Sequence, residues 1–580
     1  MKKRWFLCLA IGILIALLFV CIQFMNKEAG IYVHVAGQKI ALWQQDDECY
    51  VFLPSACKDA GLEPKIPRQV DKSSVTFMYS ENIPAVFIET QSGTAENINN
   101  DKNVQETGRI TILEPDGTIS YIENIDYIKG RGNTSFTEFE KKPYLVKLNE
   151  STSFLGMEAG DKWVFTANAS DSTLLRNALS RNMANHLGLA QSGEGVFVDL
   201  YLNGEYVGDY YVTEKVEIAP NRLEITDLEL ATKSANGGTG LSSFDTAWTE
   251  KTKAKQIPNN PEDITGGYLI ERDFNARFLD EVEINNSYFI TQSEECFIVR
   301  SPEYASESQI AYISNYVQSI ENAILSPDGI DENSGKSYEE LIDISSFVRK
   351  YLLEEVTLNY DGGVASSYFY KDIDSVSNKL FAGPAWDYDV SWGNNPAYLG
   401  YVSTSPNQLT KLSAHGSSTT WFSALYENPE FYEEITFCYK SEISSYLETL
   451  SNQVLPELAD TTAASAAMDQ VRWQQQYLKN NPDYHSREEE IAFLSEYILK
   501  RKAFLDKAWI DKVPVYEISL LLNDVVYDTL YVFEGNSLPE FPEVHTNHAD
   551  VSHWIRIGDN ITPDQVNSVY KDMTFEAMVE

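Results

Sequence analysis

The sequence predicts an α+β protein built of several modules, and three observations carry that prediction. Short runs of alternating apolar and polar residues dominate the first 225 positions; mainly helical runs follow from "GGYLIERD" (266–273) to about residue 510; alternation returns from Val513 to the end. With 580 residues, 43% of them apolar and 12% aromatic, the chain can bury two or three separate cores.

The elements follow in order. Lys2, Lys3 and Arg4 precede an uncharged apolar run from Trp5 to Met25, about the 20 residues that a bilayer-spanning helix needs. Residues 1–28 are therefore expected to be a single-pass membrane anchor, and the positive flank, staying inside, puts the rest of the chain outside the cytoplasm. Cys21 in "LFVC" offers the alternative of a lipoprotein cleavage site. Residues 29–70 read as a small β unit, with "IYVHV", "KIALW" and "CYVFLP" as strands. Cys49 and Cys57 lie close enough to bridge in an oxidising compartment or to stay as buried thiols; Cys296 and Cys438 are isolated, and Cys8 falls in the anchor.

From 75 to 225, strands such as "IPAVFIET", "GRITILEP" and "YIENIDYIKG" accompany one helix, "DSTLLRNALSRNMANHLG", expected to be capped by Asp171 and to carry Leu174, Leu175, Ala178, Leu179 and Met183 on one face. A hairpin should turn at Asn203-Gly204. Residues 226–265 are polar and Gly/Ser-rich and are expected to form a flexible insertion. Residues 266–512 should be mostly helical, with runs near 306–324, 338–359, 421–449, 464–480 and 486–509, and 513–580 a strand-rich module.

Lys+Arg of 45 against Asp+Glu of 86 gives a net charge of −41, which excludes nucleic acid as a partner and requires any anionic ligand to find a local basic pocket. No Walker or dinucleotide loop, G-x-S-x-G elbow or H-E-x-x-H motif occurs. Of seven histidines only His545, His548 and His553 cluster, in a polar stretch that reads as solvated surface. Carboxylates must therefore carry any chemistry.

Three segments could carry it. In "IKGRGNTSFTEFEKKPYLVKL" (128–148), Arg131 sits between glycines and Lys141, Lys142 and Lys147 crowd together, either as a pocket for an anion or as a basic strand end paired with Glu138 and Glu140. In "VTLNYDGGVASSYFYK" (356–371), Asn359 and Asp361 leave a helix before Gly362-Gly363, where an acid can reach a substrate hydroxyl or simply close an Asx turn. In "FAGPAWDYDVSWGNN" (381–395), Asp387 and Asp389 alternate along an extended run, so their oxygens would converge on one side to hold Mg²⁺, Mn²⁺ or Ca²⁺, or cap N–H groups near Gly393 and Asn394. Cations for phosphates, a metal-binding carboxylate and a second carboxylate for a hydroxyl are the parts of a phosphoryl-transfer site.

"KGRGNTSF…KKPYLVKL", "DKWVFTANASDSTLLRN", "LYLNGEYVGDYYVTEKVEI", "GGYLIERD", "LNYDG" and "WDYDVSWGN" resemble, in order, the motifs of the CotH family, atypical protein kinases of bacterial spore coats with further members at cell surfaces. The resemblance runs from about Ile83 to Asp511; "DMTFEA" in the tail resembles β-grasp-like surface repeats. It implies a kinase-like two-lobed fold, with 75–225 in the N-lobe and 266–512 in the C-lobe, that uses ATP and Mg²⁺ or Mn²⁺ to phosphorylate Ser or Thr of a protein. Asp361 would be the catalytic acid/base, Asp387 the metal ligand assisted by Asp389, and Lys142 the phosphate-contacting lysine with Arg131, Lys141 and Lys147 close by. The helix with Arg176 would orient that lysine, with Glu214 or Glu271 as its ion partner, and Arg176 and Glu214 would count among the cofactor contacts. Ordinary kinase Gly-rich, H-R-D and A-P-E segments are absent, and Ser366 and Ser367 stand where the resemblance leads one to expect an asparagine. The competing reading is a catalytically silent kinase-like surface binding or adhesion protein.

Overall fold

The computed structural model describes residues 31–45, 48–68, 70–273, 278–279, 284–363, 365–394, 405–410, 421–542 and 551–579. The expected anchor with Cys8 and Cys21, and also His545 and His548, lie outside the described residues. Among the described residues no helix is long and apolar enough to cross a membrane. Helix and strand are both abundant, as an α+β chain requires, and the chain divides into two compact units.

The first unit comprises the described residues up to Ala169, with Gly195–Glu214 and Asp460–Gln476. Strands β1 (Tyr32–Val35) and β2 (Gln38–Ala41) form a hairpin, and β3 (Trp43–Gln45), β4 (Glu48–Leu53) and β5 (Thr76–Tyr79) a small sheet in which β4 and β5 run parallel. The expected break at residue 70 is not an edge of this structure. Strand β5 lies beyond it, and Val33, Ile40, Val51 and Phe52 share a core with Ala85, Phe87, Tyr201 and Tyr206. About 40 residues cannot enclose a core alone, so they borrow one.

That neighbouring core belongs to a closed barrel. Strands β6 (Ala85–Thr90), β7 (Glu106–Leu113), β8 (Ile119–Gly130), β9 (Tyr144–Phe154), β10 (Met157–Thr166), β11 (Val196–Leu202) and β12 (Glu205–Glu214) close in the order β10-β12-β11-β6-β7-β8-β9. Only β6 and β11 are parallel. The β11–β12 hairpin turns at Asn203-Gly204, both in the left-handed region. Closure leaves the seven strands without a free edge, and residues such as Ile112, Val146, Val164, Leu200 and Val212 fill the buried positions.

The second unit holds a seven-stranded antiparallel sheet: β13 (Thr246–Trp248), β14 (Thr252–Lys255), β15 (Tyr268–Asp273), β16 (Tyr288–Ile290), β17 (Cys296–Ser301), β18 (Ser367–Lys371) and β19 (Phe381–Ala382), in the order β13-β14-β16-β17-β15-β18-β19. Residues 226–265, expected as a flexible insertion, instead carry a helix, Leu228–Ala235, whose N-cap Asp227 accepts the Leu230 N–H at 2.8 Å, and the β13–β14 hairpin. The composition misleads because an edge hairpin keeps polar residues on its open side; Lys253 covers the Trp248 ring at 4.8 Å. Five strands of the sheet also fall inside the stretch expected to be mostly helical.

Its helices include Glu307–Leu325, Ile344–Thr357, Trp421–Glu427, Pro429–Cys438 and Arg487–Leu505. The predicted Asp171 helix begins at Arg176, five residues late, because Asp171 first closes a turn with Thr173 and Leu174 is left-handed (φ 66°). Strands β20 (Val515–Leu522), β21 (Val525–Phe533), β22 (Val551–Arg556) and β23 (Met573–Val579) form a four-stranded tail sheet around Ile518, Leu520, Trp554 and Phe575. Cys49, Cys57, Cys296 and Cys438 are all free thiols, so the bridge alternative is not realised, and burial pushes Cys57 up to about 11.

Candidate functional site

The helix Ile344–Thr357 delivers the first acidic segment. It ends where Leu358 takes a left-handed conformation (φ 47°), which turns Asn359 back so that its N–H meets the Glu354 carbonyl at 3.1 Å. Asn359 then accepts the Asp361 N–H on its own Oδ1 at 3.3 Å, an Asx turn that presents Asp361 on a partly open loop.

Hydrogen bonds around the Asx turn tie the second acidic segment to the first. Val390 O accepts the Tyr360 N–H at 3.1 Å, Thr357 O accepts the Trp392 N–H at 2.6 Å, Asp387 O accepts Asn359 Nδ2 at 3.3 Å, and the Ser366 hydroxyl donates to Asp387 Oδ2 at 3.3 Å. Asp387, Trp392 and Ser366 have φ of 69°, 52° and 50°, so with Leu358 four non-glycine residues are held left-handed around one point. Such conformations cost free energy, persist where the surroundings over-determine them, and cluster at functional sites.

A third segment supplies Ser170 and Asp171. The Ser170 hydroxyl donates to Asp389 Oδ2 at 2.5 Å. Asn394 Nδ2 ties Asp389 O, at 2.6 Å, to Ser170 O, at 3.1 Å, and Asn177 Oδ1 accepts the Tyr388 N–H at 2.9 Å. Buried Asp171 accepts Thr173 and Arg176 N–H groups and pairs with the Arg176 guanidinium, which is 1% exposed. Arg176, expected among the cofactor contacts, is thus committed to holding this loop.

Electrostatics mark the place where these segments meet. Asp389 keeps some open surface, yet its carboxyl is pushed up to about 7, first by burial and then by the charge of Asp387, with Asp361 and Asp171 adding to it and only the Ser170 hydroxyl opposing. Asp387, two residues away, and Asp361, from the other acidic segment, therefore both act on Asp389. Among the described residues no group of three or more His, Cys, Asp or Glu side chains could hold a metal ion by itself. Two carboxylates on a short loop suit Mg²⁺ or Mn²⁺ that takes its remaining ligands from water and phosphate, and a cation would remove the repulsion that now opposes ionisation of Asp389.

In the first unit the basic residues part company. Lys141 is fully buried: its Nζ pairs with Asp469 at 2.5 Å, donates to Asp209 O at 2.7 Å and lies 5.1 Å from the Tyr210 ring. Lys142 is half-buried, donates to the Phe136 carbonyl at 2.5 Å, and is held below its usual range by burial. Lys147 pairs with Asp126 at 2.6 Å; Arg131 stands at the mouth of the "GRGN" loop, with its N–H on Pro143 O at 3.1 Å. Glu214 ends β12, and Glu271, the other expected partner of the lysine, pairs with Arg300 at 2.6 Å. The buried lysine–carboxylate pair of this unit is Lys141 with Asp469.

The model of the CotH kinase protein family matches residues 128–505, about two-thirds of the chain. The chain belongs to the CotH family. No curated protein matches it. The match begins within β8, ends with the helix Arg487–Leu505, and includes both acidic segments, the Ser170–Arg176 segment and the basic segment from Ile128 to Leu148. Several residues that hold these segments of the CotH chain in place escape sequence reasoning. Ser170 lies within "DKWVFTANASDSTLLRN" but has no role assigned there; Lys102, whose Nζ donates to Asn133 Oδ1 at 2.6 Å beside the "GRGN" loop, lies outside the segment read as basic; Asp469, inside a helical run, differs in no pattern from a solvated acid.

Proposed function

We propose that this CotH chain is an atypical protein kinase that transfers the γ-phosphate of ATP to a Ser or Thr hydroxyl of a surface or spore-coat protein with Mg²⁺ or Mn²⁺. It is further proposed to have a kinase-like two-lobed fold and to work outside the cytoplasm, held to the membrane by its N-terminal apolar segment. The observation that supports the reading is the field on Asp389. Asp387 and Asp361, with Asp171 from a third segment, oppose the ionisation of Asp389 at a place built of left-handed residues. A fold has no packing reason to assemble such a place, whereas a cation with phosphates gives it one.

In this reading Asp361 accepts the proton of the attacking hydroxyl, and its Asx turn fixes the carboxylate for that task. Asp387 and Asp389 would hold the metal, which would supply neutralisation of the phosphates' charge. Ser170 orients Asp389 and Ser366 orients Asp387. Lys142 is the lysine for the phosphate, since its ammonium meets a neutral carbonyl while Asp469 already balances Lys141. Arg131, the "GRGN" backbone and Lys147 are proposed as further phosphate contacts on the ground of the family resemblance alone.

The test is Asp387→Ala in the full chain, titrated with Mg²⁺–ATP and followed by thermal shift. The parent is expected to gain stability with ligand by mass action, roughly 3 kcal/mol at a hundred times Kd, and the variant to gain none. Unaltered stabilisation in a folded variant removes the metal assignment. Incorporation of labelled phosphate lost in Asp361→Ala supports transfer; none by the parent under any metal supports the silent binder.

A further inference from the structure

Glu354 belongs to none of the segments that the sequence singles out, and it is 1% exposed. Its two oxygens serve both acidic segments. Oε2 accepts Asn359 Nδ2 at 2.8 Å, at the start of the turn that presents Asp361; Oε1 accepts the hydroxyl of Tyr388, the residue between Asp387 and Asp389, at 2.7 Å. Lys350, one helical turn earlier and 0% exposed, pairs with Glu354 and also donates to the Tyr388 hydroxyl at 3.2 Å. The turn lies directly on this carboxylate: a Cβ at Gly362 would stand 3.0 Å from Glu354 Oε2 and 2.9 Å from Asn359 O.

A buried lysine–glutamate pair is a poor way to gain stability, because desolvation of both charges cancels most of their attraction and apolar residues of like volume serve as well or better. What it provides is a single geometry. Every oxygen of Glu354 is satisfied by a donor whose position is set by another element, so a shift of one acidic segment against the other breaks a charge-assisted bond in the interior.

We propose that Glu354, its charge balanced by Lys350 and its reach extended by Tyr388, is the positioning residue that fixes the spacing between Asp361 and the Asp387/Asp389 pair. This rests on the reading in which Asp361 handles the hydroxyl proton and the pair holds the cation. Glu354 itself touches neither phosphate nor metal.

The experiment uses the full chain with Tyr388→Phe and Glu354→Gln, and Asp361→Asn as a control on the underlying reading. Mn²⁺ affinity is measured calorimetrically without nucleotide, kcat and KM for ATP by phosphate incorporation, and melting by calorimetry. Tyr388→Phe, which deletes one hydroxyl, is expected to keep its KM for ATP within about twofold while kcat falls on the order of tenfold to a hundredfold, the loss a displacement near 1 Å brings, and Mn²⁺ binding weakens several-fold. Glu354→Gln should do more, since Lys350 is left without its counter-charge; if it does not fold, Tyr388→Phe decides. A folded Tyr388→Phe with parental kcat and parental Mn²⁺ affinity overturns the proposal, even if its melting point drops, because that is what a merely structural role gives. If Asp361→Asn transfers phosphate as well as the parent, the acid/base reading fails by itself; the Mn²⁺ titration then still decides on Glu354, weakened affinity supporting it and unchanged affinity sinking it.

Discussion

Replacing Lys141 by methionine separates two roles that sequence alone leaves joined, phosphate contact and internal ion pairing. The ammonium and the Asp469 carboxylate are both 0% exposed and 2.5 Å apart, and Asp469 also accepts the Asp209 N–H at 2.8 Å. Lys141→Met keeps the length and apolar stem but strands the Asp469 charge, with the buried Asp209 and Asp199 carboxylates in the same surroundings of Tyr206. Removing one partner of a buried pair costs about 3–5 kcal/mol. For a unit of this size each kcal/mol moves the melting point by about 2–4 °C, so a fall on the order of 10 °C is expected in the barrel transition. Gly208 makes relaxation hard: at φ 127°, a Cβ there would already stand 2.4 Å from Asp469 Oδ2 and 2.7 Å from Lys141 Cε, so the strand has no room to move in. The companion Lys141→Met/Asp469→Asn removes the stranded charge and keeps an acceptor for the Asp209 N–H, so it should recover roughly half of the loss, the Asp209 carbonyl still lacking its donor. Calorimetry reads the melting points, and hydrogen exchange at the Asp209 amide reports the local opening. A Lys141→Met protein that melts within about 2 °C of the parent but no longer binds Mg²⁺–ATP would refute the reasoning and place the lysine on the ligand.

Three further outcomes are expected. Asp199 is fully buried, accepts Ser465 and Tyr206 hydroxyls, and is pushed up to about 7, chiefly by burial. Between its ordinary value of 3.8 and that value the unfolded chain releases a proton that the folded one keeps, so its contribution falls as pH rises through this window and is flat above it. Asp199→Asn should therefore gain on the parent by roughly 3 kcal/mol between pH 5 and pH 8, read by denaturant unfolding at each pH, and a gap independent of pH would show the carboxyl to be ionised throughout. Gly362→Ala should push the Asp361 turn off Glu354 and lower phosphate incorporation on the order of tenfold or more at saturating ATP, while circular dichroism stays parental. Iodoacetamide on the native protein should label Cys49 before Cys57, whose deeper burial holds more of the thiol protonated, and mass spectrometry of tryptic peptides gives the order.

Legibility followed the range of the interactions. Strands and helices with strong periodicity, the Asn203-Gly204 hairpin and the long helices of the second half depend on neighbours in sequence, so the pattern reveals them. The aspartates of "NYD" and "WDYD" were visible because turn residues and aromatics around a charge are locally unusual. What makes them a site was not. The fields of Asp361 and Asp171 on Asp389, the hydroxyl of Ser170 and the carboxylate of Glu354 arrive from elements up to 219 residues away, and nothing in their own segments announces it. The edge hairpin at 246–255 misled for the opposite reason, its lysines and threonines looking like a linker because one side of an edge strand faces water. Lys141 and Lys142, adjacent in sequence at the bend before β9, differ completely in what they meet.

The barrel receives Asp460–Gln476 from far downstream, and Asp469 bonds a partner 260 residues before it. Synthesis therefore finishes the last barrel strand long before the piece that neutralises its interior exists. Until then the nascent barrel must either keep Lys141 in water or remain open, and any message cut short ahead of residue 460 yields a chain whose N-terminal half lacks its final segment. Completion of this unit thus waits for a pairing distant along the chain, which is slow to form, and a premature stop before it would leave fragments fit mainly for proteolysis.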